Sequence, residues 1–501
     1  MKKLARRVTR IALRIFALGV TALATVWLVR GIDSRGMPDL QIWHTYNPSN
    51  EFRARDYPDG ISFEDYQQLE LRLAKELDEH VYATVDADGG EVLNRYNKQS
   101  MVYAGREGQA WNRSFEIDTA DPRGGILLLH GASDSPYSMR ALAELFAEHG
   151  LYVAAYRMPG HGTVPAGLQH ARVEDWAAIA RSGVKHVARK VGADKPVYIG
   201  GYSAGAAVAV DYTLDAVLDS SLIPVDRLFL YSPAIAVTPF ARFGGWDEAL
   251  ASVSGFEKLG WISIETEYDP FKYNSFPKNG GYLSFAFSER VMNKLEIALN
   301  ENPTALPAII SFQSLIDSTV RTGSVVHDLY QQLPANDSQL VLFDFNRAAD
   351  IQHFVIDGRR ELLAELNEDA PVDFSYTLVT NRSERTRYTE ARTRRAGNIE
   401  VVREELPSEW PRGVYSLSHV AIPFPATDAW YGVVNKDGTP KPGTFSSVAP
   451  RGDQAILAIP LGRLMRLRYN PFFDYVETRT LEFCETCVSP NRGQSPFEKE
   501  L

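Results

Sequence analysis

The chain has 501 residues, is 45% hydrophobic and 23% charged, and carries a net charge of −10. This composition excludes collagenous and disordered classes and allows one large domain with insertions or two to three ordinary ones. Seven bases and no acid fall in residues 1–30, which leaves 46 bases against 63 acids elsewhere, and a body at −17 excludes broad nucleic-acid binding.

The N-terminal bases Lys2, Lys3, Arg6, Arg7, Arg10 and Arg14 precede an uncharged run, IFALGVTALATVWLV, at residues 15–29. The pattern predicts a membrane anchor or signal segment over 1–30. Ala22–Leu23–Ala24 fits a cleavage site, but apolar residues continue past it, which favours an uncleaved anchor. The basic end stays in the cytoplasm, so the body is expected outside it. Residues 31–112 read as a linker, rich in Asp, Pro, Asn and Gly to about residue 60, followed by a helical extension. Ser62 and Asp65 form an N-cap signal, and Tyr66, Leu69, Leu73 and Leu77 recur at helical spacing, so a helix is expected over 63–80.

From residue 113 short apolar runs alternate with helical patterns. GILLLH (125–130), LYVAAYR (151–157), PVYIGG (196–201) and RLFLYS (227–232) read as buried strands, with helical segments between them. Near-continuous apolar strands in such alternation predict an α/β fold, a mostly parallel sheet with helices on both faces. The first half of that core spans 113–235. Residues 236–305 break the rhythm with Phe, Tyr, Trp, Gly and Pro, and predict an inserted cap or lid. The second half, 306–475, resumes with PAIISFQS (307–314) and QLVLFDF (339–345) and carries an insertion; residues 476–501 form a C-terminal tail. Six arginines in 382–395 predict a solvated loop, or else a patch for lipid phosphates. Cys484 and Cys487 are the two cysteines, read as a structural or incidental pair and not as a zinc or redox site.

Ser203 carries the chemistry. It follows an apolar strand and opens a helix, in the pattern Gly201–Tyr202–Ser203–Ala204–Gly205. A strand that turns directly into a helix forms a tight elbow, and side chains two positions either side would collide, which is why glycines stand there. The turn exposes the hydroxyl at the carboxyl edge of the sheet and beside a helix N-terminus, suited to a nucleophile. The N–H of Ala204 and that of Ala132, in the loop after GILLLH, are the expected oxyanion donors. His130, at that strand end, reads as an architectural histidine. Asp317 lies in the loop after PAIISFQS, on the same edge as Ser203, where a carboxylate can orient an imidazole. His327 falls inside the following helix. His353, in an apolar helix-like run, and His419, at the end of a β-rich run before prolines, both remain candidates for the base.

These segments together resemble the α/β-hydrolase superfamily, in particular its monoacylglycerol lipase and lysophospholipase branch. LLLHGASDSPYSM (127–139), YRMPGHGT (156–163), GGYSAGAA and the Asp317 loop fall in that branch's order. EYDPFKYNSFPKNGG (267–281) and SLSHVAIPFPATDAWYG look like a membrane-associated bacterial group within it. The resemblance implies Ser203 as nucleophile, Asp317 as acid and His419 as base, with His353 as the alternative base. It implies hydrolysis of lipid-like acyl esters such as monoacylglycerols or lysophospholipids, with no cofactor and no metal. The alternatives are a peptidase or thioesterase of the same fold, or a non-catalytic extracytoplasmic binding module. The implied setting is a bacterial inner membrane with the catalytic domain outside, or the periplasm or medium after cleavage. The interval from Asp317 to His419 is longer than the branch's usual spacing, which calls for an insertion containing the arginine-rich segment.

Overall fold

In the computed structural model, residues 2–87, 93–107, 110–236, 255–349, 371–441 and 459–485 are described, together with 362, 365, 366, 452, 453, 457 and 487. The sheet begins at β1 (Phe115–Ile117), β2 (Gly124–Leu129), β3 (Leu151–Tyr156), β4 (Val197–Tyr202) and β5 (Arg227–Tyr231). A small two-stranded sheet pairs β6 (Trp261–Ser263) with β7 (Phe276–Pro277). The main sheet continues with β8 (Ala308–Ser314), β9 (Gln339–Phe343), β10 (Ser375–Asn381), β11 (Tyr388–Arg394) and β12 (Val401–Glu409). Its ten strands run in the order β1-β3-β2-β4-β5-β8-β9-β10-β11-β12. Pairing is parallel from β3 through β10, while β1, β11 and β12 are antiparallel to their neighbours.

Alternation along the central strands shows why the sheet is covered twice. Leu127, Leu129, Ile199, Leu228 and Leu230 enter one apolar cluster, and Ile126, Leu128, Tyr198 and Phe229 enter the other. Successive side chains point to opposite faces, so a continuous apolar strand needs a helix layer on each side. The longer helices among the described residues are α1 (Lys2–Ser34), α2 (Phe63–Leu77), α3 (Arg140–Glu148), α4 (Val173–Val191), α5 (Ala204–Leu218), α6 (Lys278–Glu301) and α7 (Phe473–Phe483). The chain leaves β2 towards β3 on one side and returns to β4 on the other. That reversal opens a crevice at the carboxyl ends of β2 and β4, where ligands bind in open α/β sheets.

Several expectations change. The segment 31–60 is no free linker: Glu51 and Phe52 are buried, and so are Trp43 and His44. The cause is Arg157 at the end of β3, buried between Glu51 and Glu70 at 2.9 Å from each. The N-cap at Ser62 is present, its Oγ accepting from Asp65 N at 3.0 Å, but α2 ends at Leu77 and a wider turn covers 78–82. Within 236–305, residues 237–254 lie outside the described residues, and α6 is a layer helix rather than a lid. Its Phe287 stacks on Trp176 of α4, and Arg290 and Lys294 hold Asp211 of α5. The arginine-rich segment is a β-hairpin, β10–β11, not a loop. Arg382, Arg387 and Arg392 pair with Glu405, Glu409 and Glu390, leaving those three engaged rather than offered to phosphate. The boundary at 475/476 falls inside α7, whose Val476 and Phe483 join the second apolar cluster. Cys484 and Cys487 form a disulfide just beyond it.

The N-terminal segment forms α1, with Ile11, Phe16 and Leu18 exposed. Among the described residues no helix is long and apolar enough to cross a membrane. The uncharged run at 15–29 rises about 22 Å, short of the roughly 30 Å hydrocarbon core. A spanning anchor therefore finds no support in the structure. The end of α1 instead packs on the body, where a Cβ on Gly31 would lie 2.4 Å from the Phe256 ring.

Candidate active site

Ser203 sits between β4 and α5 with φ 54° and ψ −118°, a backbone region that L-residues rarely adopt. Its N–H donates to Tyr231 O at 2.9 Å and its carbonyl accepts from Ala234 N at 3.1 Å, so the end of β5 braces the strained turn. The glycines are required by contact. A Cβ on Gly201 would lie 2.5 Å from the backbone of Ala206, and one on Gly205 would lie 2.3 Å from the Leu129 carbonyl oxygen. Gly205 thus lets the first turn of α5 press against the end of β2.

Asp317 and His419 arrive from opposite ends of a long excursion. Asp317 follows β8, is buried, and accepts from Thr319 N at 2.7 Å, Val320 N at 3.1 Å and Gln313 Nε2 at 3.0 Å. The chain then builds β9 to β12 before delivering His419 in a short turn, His419–Ala421. That extension of the sheet accounts for the wide interval. His419 Nδ1 lies 2.7 Å from Asp317 Oδ2, and its Nε2 lies 3.0 Å from Ser203 Oγ. A carboxylate only accepts, so Nδ1 carries the proton and Nε2 presents a lone pair to the serine hydroxyl. Burial alone would raise the Asp317 pKa. The His419 ring beside it and the two backbone N–H donors outweigh burial and hold it below the ordinary aspartate value.

Among the described residues, neither the Ala132 N–H nor the Ala204 N–H donates to a protein acceptor. His130 is buried, with Nδ1 2.9 Å from Gly131 O and Nε2 accepting from Met158 N at 2.9 Å. Nδ1 is therefore the protonated nitrogen, and the ring ties the loop after β2 to the end of β3. Burial keeps its pKa well below the usual imidazole value, so it stays neutral. His327 lies 3.4 Å from Glu365, away from Ser203. His353 lies outside the described residues. Among the described residues no cluster of His, Cys, Asp and Glu is arranged to hold a metal ion.

A cleft adjoins this site, reaching Val420 next to His419. Its wall is unexpectedly charged. Lys272 pairs with Asp134 at 2.9 Å, Arg468 with Asp269 at 2.6 Å, and Arg463 with Glu265 at 2.7 Å. Tyr431 OH donates to Asp269 Oδ1 at 2.6 Å. An aromatic cluster of Tyr137, Phe271, Phe424 and Tyr431 backs the same region. The sequence's aromatic insert suggested an apolar acyl pocket; the wall is aromatic and cationic together. Glu51, Glu70 and the charged cleft escaped sequence reasoning because each is defined by partners about 90 to 200 residues away.

An α/β-hydrolase family model matches residues 126–374, about half the chain. The thermostable monoacylglycerol lipase of Bacillus sp. (strain H-257) is 31% identical over 86 residues, 17% of this chain. The match spans about one third of that relative's length, 33%. Among solved structures, a chain from work on the metagenome-derived lipolytic enzymes LipS and LipT is 18% identical. It covers 52% of this chain and 98% of its own, with a TM-score of 0.37. The monoacylglycerol lipase of Paleococcus ferrophilus is 20% identical over 46% of this chain and 88% of that one, with a TM-score of 0.35. A soluble variant of monoglyceride lipase from Saccharomyces cerevisiae is 15% identical over 46% and 82%, also at 0.35. With the family match and the short stretch of closer identity, the chain is an α/β hydrolase resembling monoacylglycerol lipases.

Proposed function

We propose that the protein is a serine hydrolase of carboxylic esters, with Ser203 as nucleophile, His419 as general base and acid, and Asp317 as the group that orients the imidazole. The observation that carries this reading is the hydrogen-bond chain Ser203–His419–Asp317, at 3.0 and 2.7 Å, beside two uncommitted N–H groups. In this reading Ser203 Oγ attacks the ester carbonyl carbon while its proton passes to His419 Nε2. The carbonyl oxygen becomes an oxyanion, and the Ala132 and Ala204 N–H groups stabilise it. Collapse breaks the bond to the alcohol, which leaves with the proton held by His419. Water then repeats the sequence, releasing the acid and restoring the Ser203 hydroxyl. Asp317 stays ionised throughout and stabilises the imidazolium.

The aromatic wall of the cleft favours acyl esters with an apolar portion, as in monoacylglycerols or lysophospholipids. A location outside the cytoplasm belongs to the same reading, supported by the basic N-terminus and by the Cys484–Cys487 disulfide, which oxidising compartments permit. Replacement of Ser203 by alanine tests the chemistry. Alanine fits the elbow without new bulk, so Ser203→Ala should fold normally. Turnover of 4-nitrophenyl esters should fall by about 10^6 and labelling by a fluorophosphonate probe should disappear. Undiminished labelling of the variant would overturn the assignment of the nucleophile.

A further inference from the structure

The cleft beside Ser203 holds one cation that, among the described residues, no carboxylate pairs. Lys272, Arg463 and Arg468 each have a carboxylate, Asp134, Glu265 and Asp269 respectively. Arg466 also lines the cleft, and among the described residues no carboxylate lies within ion-pair distance of it. Its recorded hydrogen bond is from Nη2 to the hydroxyl of Thr319, at 3.1 Å. Asp317, two residues earlier, is already engaged by His419, Gln313, Thr319 N and Val320 N. Arg466 is half-buried; desolvation lowers its pKa, Arg463 and Arg468 push the same way, and Tyr202 and Asp317 oppose them. An arginine does not shed its proton under such pressure, so the site carries an unmet demand for negative charge.

We infer that Arg466 is a specificity-determining residue that binds an anionic group, carboxylate or phosphate, on the ester substrate. The placement fits. Arg466 hangs from Thr319 in the Asp317 loop, the cleft reaches Val420 beside His419, and Ser418 Oγ donates to the carbonyl of Leu467, next to Arg466. An anion bound at Arg466 therefore lies on the substrate at a short reach from the scissile carbonyl. A planar guanidinium matches either anion through paired hydrogen bonds. The anion can sit on the acyl side, as in a dicarboxylic acid monoester, or on the alcohol side, as in an acylglycerol phosphate.

This inference rests on Ser203 being the nucleophile, and the experiment separates the two. Purified full-length protein is assayed on two pairs: 4-nitrophenyl pentanoate against mono-4-nitrophenyl glutarate, and 1-lauroylglycerol against 1-lauroylglycerol 3-phosphate. The wild type should favour the charged member of at least one pair, and the pair that responds identifies the side that carries the anion. Arg466→Gln should shrink that kcat/KM ratio by about ten- to hundredfold, mainly through KM, while Arg466→Lys retains part of it. Circular dichroism confirms that both variants fold. Esters cleaved with no preference for charge, or a preference unchanged in Arg466→Gln, would overturn the inference and leave the hydrolase reading standing. An equal loss on charged and neutral esters would also overturn it, since Arg466 would then act through Asp317. Failure of the wild type to cleave any ester or accept the fluorophosphonate probe would instead remove the hydrolase reading beneath it.

Discussion

Two guanidiniums near the site, Arg157 buried and Arg466 half-buried, are treated in opposite ways. Arg157, at the end of β3, is enclosed by Glu51 and Glu70. It forms two hydrogen bonds to the first at 2.9 and 3.0 Å, one to the second at 2.9 Å, and one to His161 O at 3.0 Å. Ser114 completes the arrangement, donating to Glu70 from both N and Oγ while its Oγ accepts from Arg157 N at 2.8 Å. The carboxylates hold the Arg157 pKa well above its ordinary value against the opposing effect of burial. Arg466 has, among the described residues, one hydroxyl. The difference teaches how to tell a cation that fastens a fold from one that waits for a ligand. The first is satisfied by side chains that have no other business, and the second keeps donors turned to a cleft.

The largest effect expected from this contrast is on stability. Arg157→Met leaves two carboxylates buried without a counter-charge, and breaking a buried pair in this way costs about 3–5 kcal/mol. Urea denaturation should show the midpoint falling sharply. Adding Glu51→Gln and Glu70→Gln removes the uncompensated charge and should recover part of the loss. If Arg157→Met alone is tolerated within about 1 kcal/mol, the network is not what fixes residues 41–60 to the core.

How much of this was legible in the sequence follows from the same physics. Strands β2, β3, β4, β5, β8 and β9 could be read within a residue or two because burial on both faces writes a continuous apolar run. The elbow at Ser203 was legible because its glycines answer a steric need, and Asp317 because its loop follows such a run. β11 and β12 were not: YTEARTR, with three charges in seven residues, read as part of a solvated loop, and VVREELPSE, exposed along nearly its whole length, gave no strand signal. Since those strands separate Asp317 from His419, spacing alone left two histidines open, and only the resemblance of the His419 segment chose between them. Arg463, Arg466 and Arg468 look alike in LGRLMRLRYN. Which of them is left without a carboxylate among the described residues is a property of Glu265 and Asp269, about 200 residues earlier.

His130 and His161, near Arg157, set an intermediate effect. Burial lowers both pKa values, that of His161 to about 3, and Arg157 and Lys272 add to the shift from either side. In the unfolded chain each titrates near 6.5. Below that value the unfolded state binds more protons than the folded state, so stability rises with pH and falls in acid. Between pH 6.5 and about 3 His161 should subtract up to about 1.4 kcal/mol per pH unit, and His130 acts in the same direction. Urea midpoints at pH 7, 6 and 5 should decline with increasing slope. A flat profile over this range would mean that these rings are protonated in the fold, and the neutral His130 that accepts from Met158 N would be excluded.

The smallest effect is the one that sharpens the comparison most. Arg466→Gln removes a half-buried charge that no carboxylate among the described residues pairs, so no carboxylate is left stranded. Its stability should change by less than about 1 kcal/mol, in either direction, against the several kcal/mol expected at Arg157. A ligand that binds only the folded state stabilises it in proportion to the logarithm of its concentration over Kd. Glutarate at tens of millimolar should therefore raise the Tm of the wild type and of Ser203→Ala, and raise that of Arg466→Gln less. The rise should shrink as sodium chloride increases, because an interaction open to the cleft is screened while the enclosed Arg157 pairs are not. If Arg466→Gln proves as destabilising as Arg157→Met and the glutarate shift is unchanged, Arg466 fastens the fold as Arg157 does, and the distinction between the two regions dissolves.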